Sequence, residues 1–509
     1  MLIWFRGSVL SIDGPLTLSS RNLEAKGSRV CASAVSLFHF PLTIIMDSKI
    51  IRQNLHSRQR FVWVIVLCAT LTGLALFTLW HSDLSSQSQT LWFGRTKNTE
   101  LQVIEPWDSI RAVNGPPTTS FRDNLRNDTK YITSWGSGGW SNDVITMMNL
   151  IYLGLITDRV PVIPPFLPSH LMLSTVGNEF SALNFGHVFD LPYLREKIGK
   201  PVLEWNELKA LETGNRDEEL GCWGVWQSIQ YHDPAPRQSF GPWSLGLDVS
   251  YTKTPDWVKK LPNAEHDRYS TFWSLATLAF PSTRNESLVP PVPSPKHNAT
   301  LPPDEHLLCF DMLYYLISAH ESDELSKDYS PAWRSVGQYL RWTPTLERLA
   351  EVYIRQAFGL HQAADIPPFI AVHVRHTDFA DWCEAGIDTN DCFAPLTAMA
   401  QRVQEVQDEI KETKGIEVKN VIITSDETNS TWWEGVYELG WARPDHSRTK
   451  ELYGDWHFIL IDAVIQSRSI GFVGTARSTV SLLSQKRVES WQDGAVRMVQ
   501  WGKKGADAH

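Results

Sequence analysis

The stretch FIAVHVRHTDF, residues 369–379, decides how we expect this chain to fold. Its apolar run from Phe369 predicts a strand that is buried on both faces, as in a parallel sheet. Ligands of open α/β sheets bind beyond the carboxyl ends of such strands. Arg375 stands at that end, where its planar fork of donors suits a diphosphate, and His373 points to the same side. The alternative is that Arg375 pairs with Asp378 and only stabilises the fold.

The chain after this strand keeps alternating between helix and strand. Apolar periodicity predicts a strand–helix–strand succession that ends in a helix. The expected helices lie at 345–358, 395–413, 431–440, 456–468 and 479–489, and the expected strands at 418–425 and 469–474.

The segment GTARSTVS, residues 474–481, joins the last of these strands to the closing helix. Small hydroxyl residues and free backbone N–H groups at a helix start can bind an anion, and the helix dipole assists them. Thr475, Ser478 and Thr479 are therefore candidate anion ligands. Ser478 could equally serve only as the N-cap of the helix.

The chain before these motifs contains another strand–turn–helix–strand pattern. Strands at 131–135 and 160–165 flank the turn GSGGWSN, residues 136–142, and an apolar helix at 144–156. Glycines let the backbone approach a ligand closely, although a simple turn explains them as well. The turn has neither the Lys of a Walker loop nor the full dinucleotide fingerprint.

A long middle region separates the two βα patterns. Residues 175–280 show few clear periods, and seven prolines from Pro281 to Pro303 predict an exposed insertion or connection that is neither helix nor central strand. The predicted fold class is therefore α/β, with two Rossmann-like domains facing a cleft. We place the N-terminal, acceptor-side domain at 131–340 and the C-terminal domain at 341–509.

A membrane anchor is expected ahead of these domains. Residues 61–80 carry no charge and are long enough to span a bilayer as a helix. Four basic residues closely precede this segment and two fall in the twenty residues after it, so the positive-inside rule places the C-terminal bulk in the lumen. We expect a single-pass type II protein of the Golgi or endoplasmic reticulum membrane, with a cytoplasmic tail at 1–60 and a stem at 81–130. Residues 1–45 either belong to that tail or extend the gene model.

Two further features agree with a lumenal location. Four N-glycosylation sequons follow the predicted span, at Asn127, Asn285, Asn298 and Asn429. Four cysteines also follow it, an even set that suits two disulfides in an oxidising lumen. The short spacing of Cys383 and Cys392 makes them the first expected pair, which leaves Cys222 with Cys309. Four free buried thiols are the alternative.

The composition narrows the classes of function. The chain has 47 Lys and Arg against 57 Asp and Glu, and this net charge of −10 argues against a nucleic-acid partner. It has 22 Trp, which can stack on sugars or simply fill a core. Close Cys-x-x-Cys or His-x3-His spacing for zinc does not occur, and neither does the Asp-x-Asp motif of many metal-dependent glycosyltransferases. No metal site is expected.

Taken in order, these motifs resemble the blocks of the GDP-fucose protein O-fucosyltransferase superfamily. The glycine turn with its Asn, the long helix and the strand ending in Pro-Pro are similar to residues 138–165 here. The family's His-x-Arg-x-x-Asp-Phe is similar to residues 373–379. Its late block, an acidic residue in a helix followed by a strand and a hydroxyl-rich turn, is similar to Asp462 and residues 472–481.

The resemblance implies a GT-B fold with GDP-fucose in the cleft. Arg375 would hold the diphosphate, and His373 would lie against the nucleoside. Ser478 and Thr479 would donate to the β-phosphate. Asp462 would pair with guanine, and Asn142 would approach the phosphates or the fucose. The expected donor-binding set is Gly138, Gly139, Asn142, His373, Arg375, Asp378, Asp462, Thr475, Ser478 and Thr479.

This sequence departs from the family in its catalytic base. Some relatives have a Glu just before the Asn of the glycine turn, where it can deprotonate the acceptor hydroxyl. Residues 138–141 contain no acid here. Either Asp143 or another acid is the base, or departure of the leaving group drives the reaction without one. If Asp143 is not a base, it only caps the helix. The expected catalytic residues are therefore Arg375, Asn142 and Asp143.

The expected function is that of a metal-independent inverting fucosyltransferase. It would move fucose from GDP-fucose, without a further cofactor, to a hydroxyl group of a protein Ser or Thr or of a glycan in the secretory pathway. Two alternatives remain open: a catalytically silent lumenal lectin or scaffold with the same fold, and a transferase that uses another nucleotide sugar. The retained Arg375 and Ser478-Thr479 favour an enzyme, because a scaffold does not need diphosphate ligands.

Overall fold

A computed structural model describes residues 105–167, 182–210, 217–230, 232–318 and 321–507. The predicted membrane span at 61–80 and the predicted tail lie outside these residues. Within the described ranges, no helix combines the length and the apolar character that crossing a bilayer requires.

The strands of the described residues are named in chain order. They are β1 (Tyr131–Ser134), β2 (Val160–Ile163), β3 (Leu203–Glu204), β4 (Glu218–Gly224), β5 (Leu247–Lys253), β6 (Ser270–Thr271), β7 (Leu307–Phe310), β8 (Leu316–Ile317), β9 (Phe369–Val374), β10 (Asn420–Ser425), β11 (Gly471–Thr475) and β12 (Ala495–Val499).

The helices of eight or more residues are also named. They are α1 (Trp140–Ile156), α2 (Leu191–Ile198), α3 (Pro344–Ala357), α4 (Leu396–Lys414), α5 (Ser430–Glu438), α6 (His457–Arg468) and α7 (Thr479–Gln492). Shorter α-helices span Phe121–Asn124, Phe185–Val188, Trp205–Leu208, Trp226–Ile229, Phe240–Ser244, Phe272–Thr277, Pro281–Glu286, Pro331–Ser335, Thr389–Cys392 and Thr449–Tyr453. Short 3-10 helices span Ser109–Ala112, Asp256–Val258, Glu324–Ser326, Gly337–Tyr339 and Thr377–Trp382.

Two parallel sheets organise these elements. The first has the strand order β3-β2-β1-β7-β4-β5, and the second has the order β10-β9-β11-β12. Both contain only parallel pairs. An α/β fold with parallel sheets is therefore found as expected. The predicted boundary between two domains near residue 340 stays a prediction.

The second sheet follows the sequence closely. All six residues of β9 are buried, as the apolar run from Phe369 predicts for a strand inside a parallel sheet. β9 lies between β10 and β11, so the carboxyl ends of β9 and β11 are adjacent. This arrangement brings residues 375–379 and 474–481 to the same edge of the sheet.

The first sheet differs more from expectation. β4 and β5 pair in register over seven residues, from Glu218 with Leu247 onward, inside the region that lacked clear periods. Their segments EELGCWG and LDVSYTK mix acids, glycines and apolar residues, which hides the strand pattern. The prediction of no helix in the proline-rich segment is wrong, because Pro281–Glu286 is a short helix. Pro281 occupies its first turn, where the missing N–H needs no partner.

Part of the predicted stem belongs to the folded unit. Phe121 and Leu125 are buried in the core of the first sheet, and the Phe121 ring contacts Trp205 edge-to-face with centroids 5.5 Å apart. Asn124 Nδ2 donates to the Leu208 carbonyl at 2.7 Å. The chain is therefore fixed to the first sheet well before β1.

Two disulfides link the cysteines that follow the predicted span. Cys222 of β4 bonds to Cys309 of β7, and Cys383 bonds to Cys392 just after β9. These are the two pairs expected from the spacing. The four sequon asparagines, Asn127, Asn285, Asn298 and Asn429, are all exposed.

Candidate functional site

The candidate site is built where β9 and β11 end side by side. The Arg375 N–H donates to Thr475 Oγ1 at 3.0 Å, and Thr475 Oγ1 donates to the His373 carbonyl at 3.1 Å. The Thr475 hydroxyl thus replaces the next hydrogen bond of the parallel ladder and fixes the backbone at the point where Arg375 leaves the sheet.

Two carboxylates hold the Arg375 guanidinium. Nη2 lies 2.8 Å from Asp378 Oδ1, and Nη1 lies 3.0 Å from Asp426 Oδ2. The ion pair with Asp378, considered above as an alternative role, is therefore present. Asp426 directly follows β10, and it was not singled out from the sequence. An acid at the carboxyl end of a buried strand could have indicated a residue of this site. An anion that binds Arg375 must displace these carboxylates or share the guanidinium with them. The Asp378 side chain is 62% exposed, so it has room to adopt another rotamer.

His373 is buried behind this edge. Its Nδ1 lies 2.7 Å from Ser481 Oγ, and the same Ser481 oxygen accepts the Thr475 N–H at 3.0 Å. Burial lowers the pKa of His373 to about 4, so the imidazole is neutral at pH 7. A neutral, fixed ring can contact a nucleoside by packing but adds no charge to the site.

At the start of α7 the structure shows the N-cap role of Ser478, and its role as an anion ligand stays a prediction. Ser478 is the N-cap, and its Oγ accepts the Ser481 N–H at 3.4 Å. The preceding Arg477 has φ +67°, a left-handed conformation that is uncommon outside glycine. Such outliers cluster at ligand-binding sites, where the backbone must present its N–H groups in one direction.

The glycine turn and α7 meet directly. Thr479 Oγ1 donates to Asn142 Oδ1 at 2.7 Å and lies 2.7 Å from Ser141 Oγ. Asn142 and Ser141 belong to the first turn of α1, which begins at Trp140 rather than at residue 144 as predicted. Two motifs that are 337 residues apart in the chain thus share one hydrogen-bond network.

Asp143 stabilises the glycine turn from inside the protein. Its Oδ1 accepts the Gly138 N–H at 3.0 Å, and burial raises its pKa to about 7. A Cβ on Gly136 would come within 2.6 Å of the Asp143 carboxyl, and one on Gly138 would come within 2.7 Å of the Asn142 Cβ. Gly139 has open space around it and serves as the N-cap of α1. Close packing explains the first two glycines.

Arg237 holds the same turn from the opposite side. Its Nε donates to Ser137 Oγ at 3.0 Å and its Nη2 to the Ser137 carbonyl at 3.2 Å. The Arg237 N–H donates to Asp311, a buried acid directly after β7 that also accepts the Val225 N–H. Burial raises the pKa of Asp311 to about 6. The acid after a buried strand could have been noticed in the sequence, whereas nothing there distinguished Arg237.

Asp462 lies in a separate cluster. It projects from α6 and lies 2.8 Å from His446 Nε2, and the His446 ring stacks on Tyr353. No hydrogen bond among the described residues joins Asp462 to the network of Arg375, Thr475 and Ser481. Its expected role toward guanine stays a prediction. The ranges that the structure covers contain no group of three or more His, Cys, Asp or Glu suited to a metal ion.

Comparison with solved structures finds several fucosyltransferases. POFUT1 in complex with GDP-fucose shares 16% identity, covers 74% of this chain and 99% of its own, and has a TM-score of 0.43. The fucosyltransferase NodZ from Bradyrhizobium shares 12% identity over 70% of this chain and 92% of its own, with a TM-score of 0.36. A mutant of Arabidopsis thaliana FUT1 in complex with GDP shares 12% identity over 73% of this chain and 70% of its own, with a TM-score of 0.35.

Comparison of sequences gives one family. No curated protein sequence matches the chain significantly. The family model for GDP-fucose protein O-fucosyltransferase, however, matches residues 131–489, more than two thirds of the chain. This range contains every candidate donor-binding residue from Gly138 to Thr479. The chain belongs to the GDP-fucose protein O-fucosyltransferase family.

Proposed function

We propose that this protein is a metal-independent inverting fucosyltransferase that uses GDP-fucose. Its acceptor is a hydroxyl group of a protein or a glycan in the secretory pathway, and its anchor is a single type II span in the Golgi or endoplasmic reticulum membrane. One observation carries the proposal: the hydrogen bond between Asn142 and Thr479 joins the glycine turn to the turn beside Arg375. Family membership supports GDP-fucose as the donor.

Donor binding would use charge and dipoles that the chain supplies itself. The Arg375 guanidinium would leave Asp378 and bind the diphosphate, which offers a matching bidentate partner. The N–H groups at the start of α7 would donate to the β-phosphate, assisted by the helix dipole. His373 would pack against the nucleoside in its neutral form.

The transfer step would stabilise the departing phosphate. The acceptor oxygen attacks C1 of fucose from the face opposite GDP, and the bond between C1 and the β-phosphate oxygen breaks with its electrons going to the phosphate. Arg375 and the α7 amides would face the phosphate on which that negative charge develops, and fixed donors of this kind lower the barrier most when the charge is greatest.

The acceptor proton needs a destination. Asp143 is only 3% exposed and already accepts the Gly138 N–H, so an acceptor hydroxyl reaches it only if the turn moves. We therefore assign no side chain as the base: departure of GDP drives the reaction, and a solvent water on the acceptor face takes the acceptor proton. We assign Asp143 to positioning the turn that carries Asn142.

Nucleotide binding by the full-length protein tests this function. Differential scanning fluorimetry should show that GDP and GDP-fucose raise the melting temperature while UDP does not, and GDP-fucose should be slowly hydrolysed. Equal stabilisation by other GDP-sugars, with faster hydrolysis of one of them, would favour a different donor. Stabilisation by no nucleotide would favour the silent lectin or scaffold, a candidate that the double pairing of Arg375 with Asp378 and Asp426 supports.

A further inference from the structure

A cavity of about 210 Å³ lies beside the Asn142–Thr479 bond, and nothing above assigns it a role. Ile145 of α1 and Leu482 of α7 line it. Each stands three residues after Asn142 or Thr479, and residues three apart occupy the same helix face. The cavity is therefore about one helical turn, or ~5 Å along each axis, from the hydrogen bond that joins the two motifs.

Three tyrosines form one wall of this cavity. The rings of Tyr314 and Tyr315 are perpendicular with centroids 4.8 Å apart, and the ring of Tyr269 stands edge-on to Tyr315 at 5.8 Å. The hydroxyl groups of Tyr314 and Tyr315 have no hydrogen-bond partner among the residues that the structure describes. Burial raises the pKa of Tyr314 to about 12, so its hydroxyl remains a donor at pH 7.

The cavity lining also contains polar groups of the complementary kind. The Glu324 carboxylate is almost fully buried and accepts the Ser318 N–H through one oxygen, Oε2, at 2.8 Å. Asn149 of α1 also lines the cavity, and its Nδ2 donates to the Leu313 carbonyl. Aromatic faces, phenol donors and carboxylate or amide acceptors together suit a neutral ring that carries hydroxyl groups, and the acids disfavour a phosphate.

We propose that this cavity binds one sugar ring of the acceptor, so that the protein transfers fucose to a glycan rather than to an unmodified Ser or Thr. The volume agrees with a single ring, because pockets for drug-sized ligands occupy roughly 300–1,000 Å³. The inference rests on the proposed function and specifies its acceptor class.

The test measures sugar binding and GDP binding separately on the full-length protein. Saturation-transfer NMR with GDP present would use three probes: methyl β-D-glucopyranoside, methyl β-D-galactopyranoside and methyl α-D-mannopyranoside. At least one should bind to the unmodified protein. Tyr315→Ala should abolish that binding, and Tyr314→Phe, which keeps the ring, should weaken it about tenfold. Tyr437→Phe is the matched control, since Tyr437 lies on α5 and does not line the cavity.

Three results would overturn the inference without touching the proposed function, provided that GDP still binds and GDP-fucose is still hydrolysed. The first is that no glycoside binds. The second is that Tyr314→Phe binds the glycoside as well as the control does. The third is that a synthetic Ser- and Thr-containing peptide accepts fucose with a KM that Tyr315→Ala leaves unchanged. If GDP itself does not bind to the unmodified protein, the proposed function fails instead.

Discussion

Thr479 donates a hydrogen bond of 2.7 Å to the side chain of Asn142, and this contact joins the first turns of α1 and α7. Each helix follows the carboxyl end of an interior strand of its sheet, so the bond connects the carboxyl-terminal edges of both sheets. The candidate site thus consists of two parts, the glycine turn before α1 and the turn before α7, and the Thr479 hydroxyl joins them.

Thr479→Val should lower the turnover of GDP-fucose more than it lowers GDP affinity. Valine has nearly the same shape but leaves Asn142 Oδ1 and Ser141 Oγ without this partner. The free energy of unfolding should fall by about 1 kcal/mol. Thr479→Ser should restore turnover. Thr345→Val, at an exposed position in the first turn of α3, is the matched control. Unchanged turnover in Thr479→Val would show that the bond is not needed for transfer.

Arg375→Ala should abolish transfer and weaken GDP binding by roughly 30- to 1000-fold. This is the expected effect of losing a charge-assisted bidentate pair, which costs ~2–4 kcal/mol of binding free energy. Arg375→Lys should also fail, because one ammonium cannot reproduce the planar fork. Asp378→Asn removes a competing carboxylate and should leave GDP affinity equal or higher. Calorimetric titration with GDP measures all three. Normal GDP binding by Arg375→Ala would contradict the assignment, and misfolding would favour the structural role of its ion pairs.

Between pH 4.5 and pH 8, the free energy of unfolding should fall less in Asp143→Asn than in the unmodified protein. The native state keeps this carboxyl protonated up to a pKa of about 7, whereas the unfolded chain ionises it near the ordinary aspartate pKa of 3.8. The group therefore contributes its stability fully below pH 3.8 and loses it as the pH rises through 7. Asparagine does not titrate, so the variant escapes this loss.

Denaturant unfolding of both proteins at the two pH values measures this difference. If Asp143 only positions the turn, the pH profile of kcat/KM should be the same in Asp143→Asn and in the unmodified protein. Loss of the acidic limb of that profile would instead identify Asp143 as the catalytic base.

The double variant Cys383→Ser, Cys392→Ser should lose ~2–3 kcal/mol of stability, because the disulfide closes only a short loop. The loop begins soon after Arg375, and the Glu384 N–H donates to the Gly502 carbonyl at 2.8 Å. GDP affinity should therefore fall together with stability. Peptide mapping without reductant should find the two cysteines bonded, and alkylation of both thiols in the native protein would contradict this prediction.

Material from the secretory pathway should shift in mobility after endoglycosidase treatment. The four sequon asparagines are exposed, and Asn429 keeps its Oδ1 bound to the Thr431 N–H, which leaves its Nδ2 available for a glycan. A variant with all four replaced by Gln is the control and should not shift. Absence of a shift in the unmodified protein, with digestion of its C-terminal part in intact microsomes, would reverse the proposed orientation.

The sequence predicts three of the four strands of the second sheet, because β9, β10 and β11 are mostly buried. It misses β12, whose three middle residues are only half-buried. β9 is an apolar run interrupted only by His373, and GTARSTVS combines a strand end with a helix cap. The first sheet is harder to predict. β4 begins with two glutamates, one of which accepts hydrogen bonds from the Ser120 hydroxyl and the Phe121 N–H, so tertiary contacts satisfy charges that argue against a strand. Arg237 acts through backbone atoms of Ser137, and such contacts leave no pattern in the sequence.

The bond between Cys222 and Cys309 would set an order of events during synthesis if the proposed lumenal orientation holds. It closes a loop of 87 residues that contains the sequons at Asn285 and Asn298. In the proposed lumenal orientation, both asparagines would enter the lumen before Cys309 does, so they would meet the glycan-adding machinery while the loop is still open. A glycan added there then travels with the loop as β7 pairs with β4, and it must remain on the outer side. Oxidation of this pair would then enclose a segment that already carries its glycans, at two asparagines that are exposed in the folded protein.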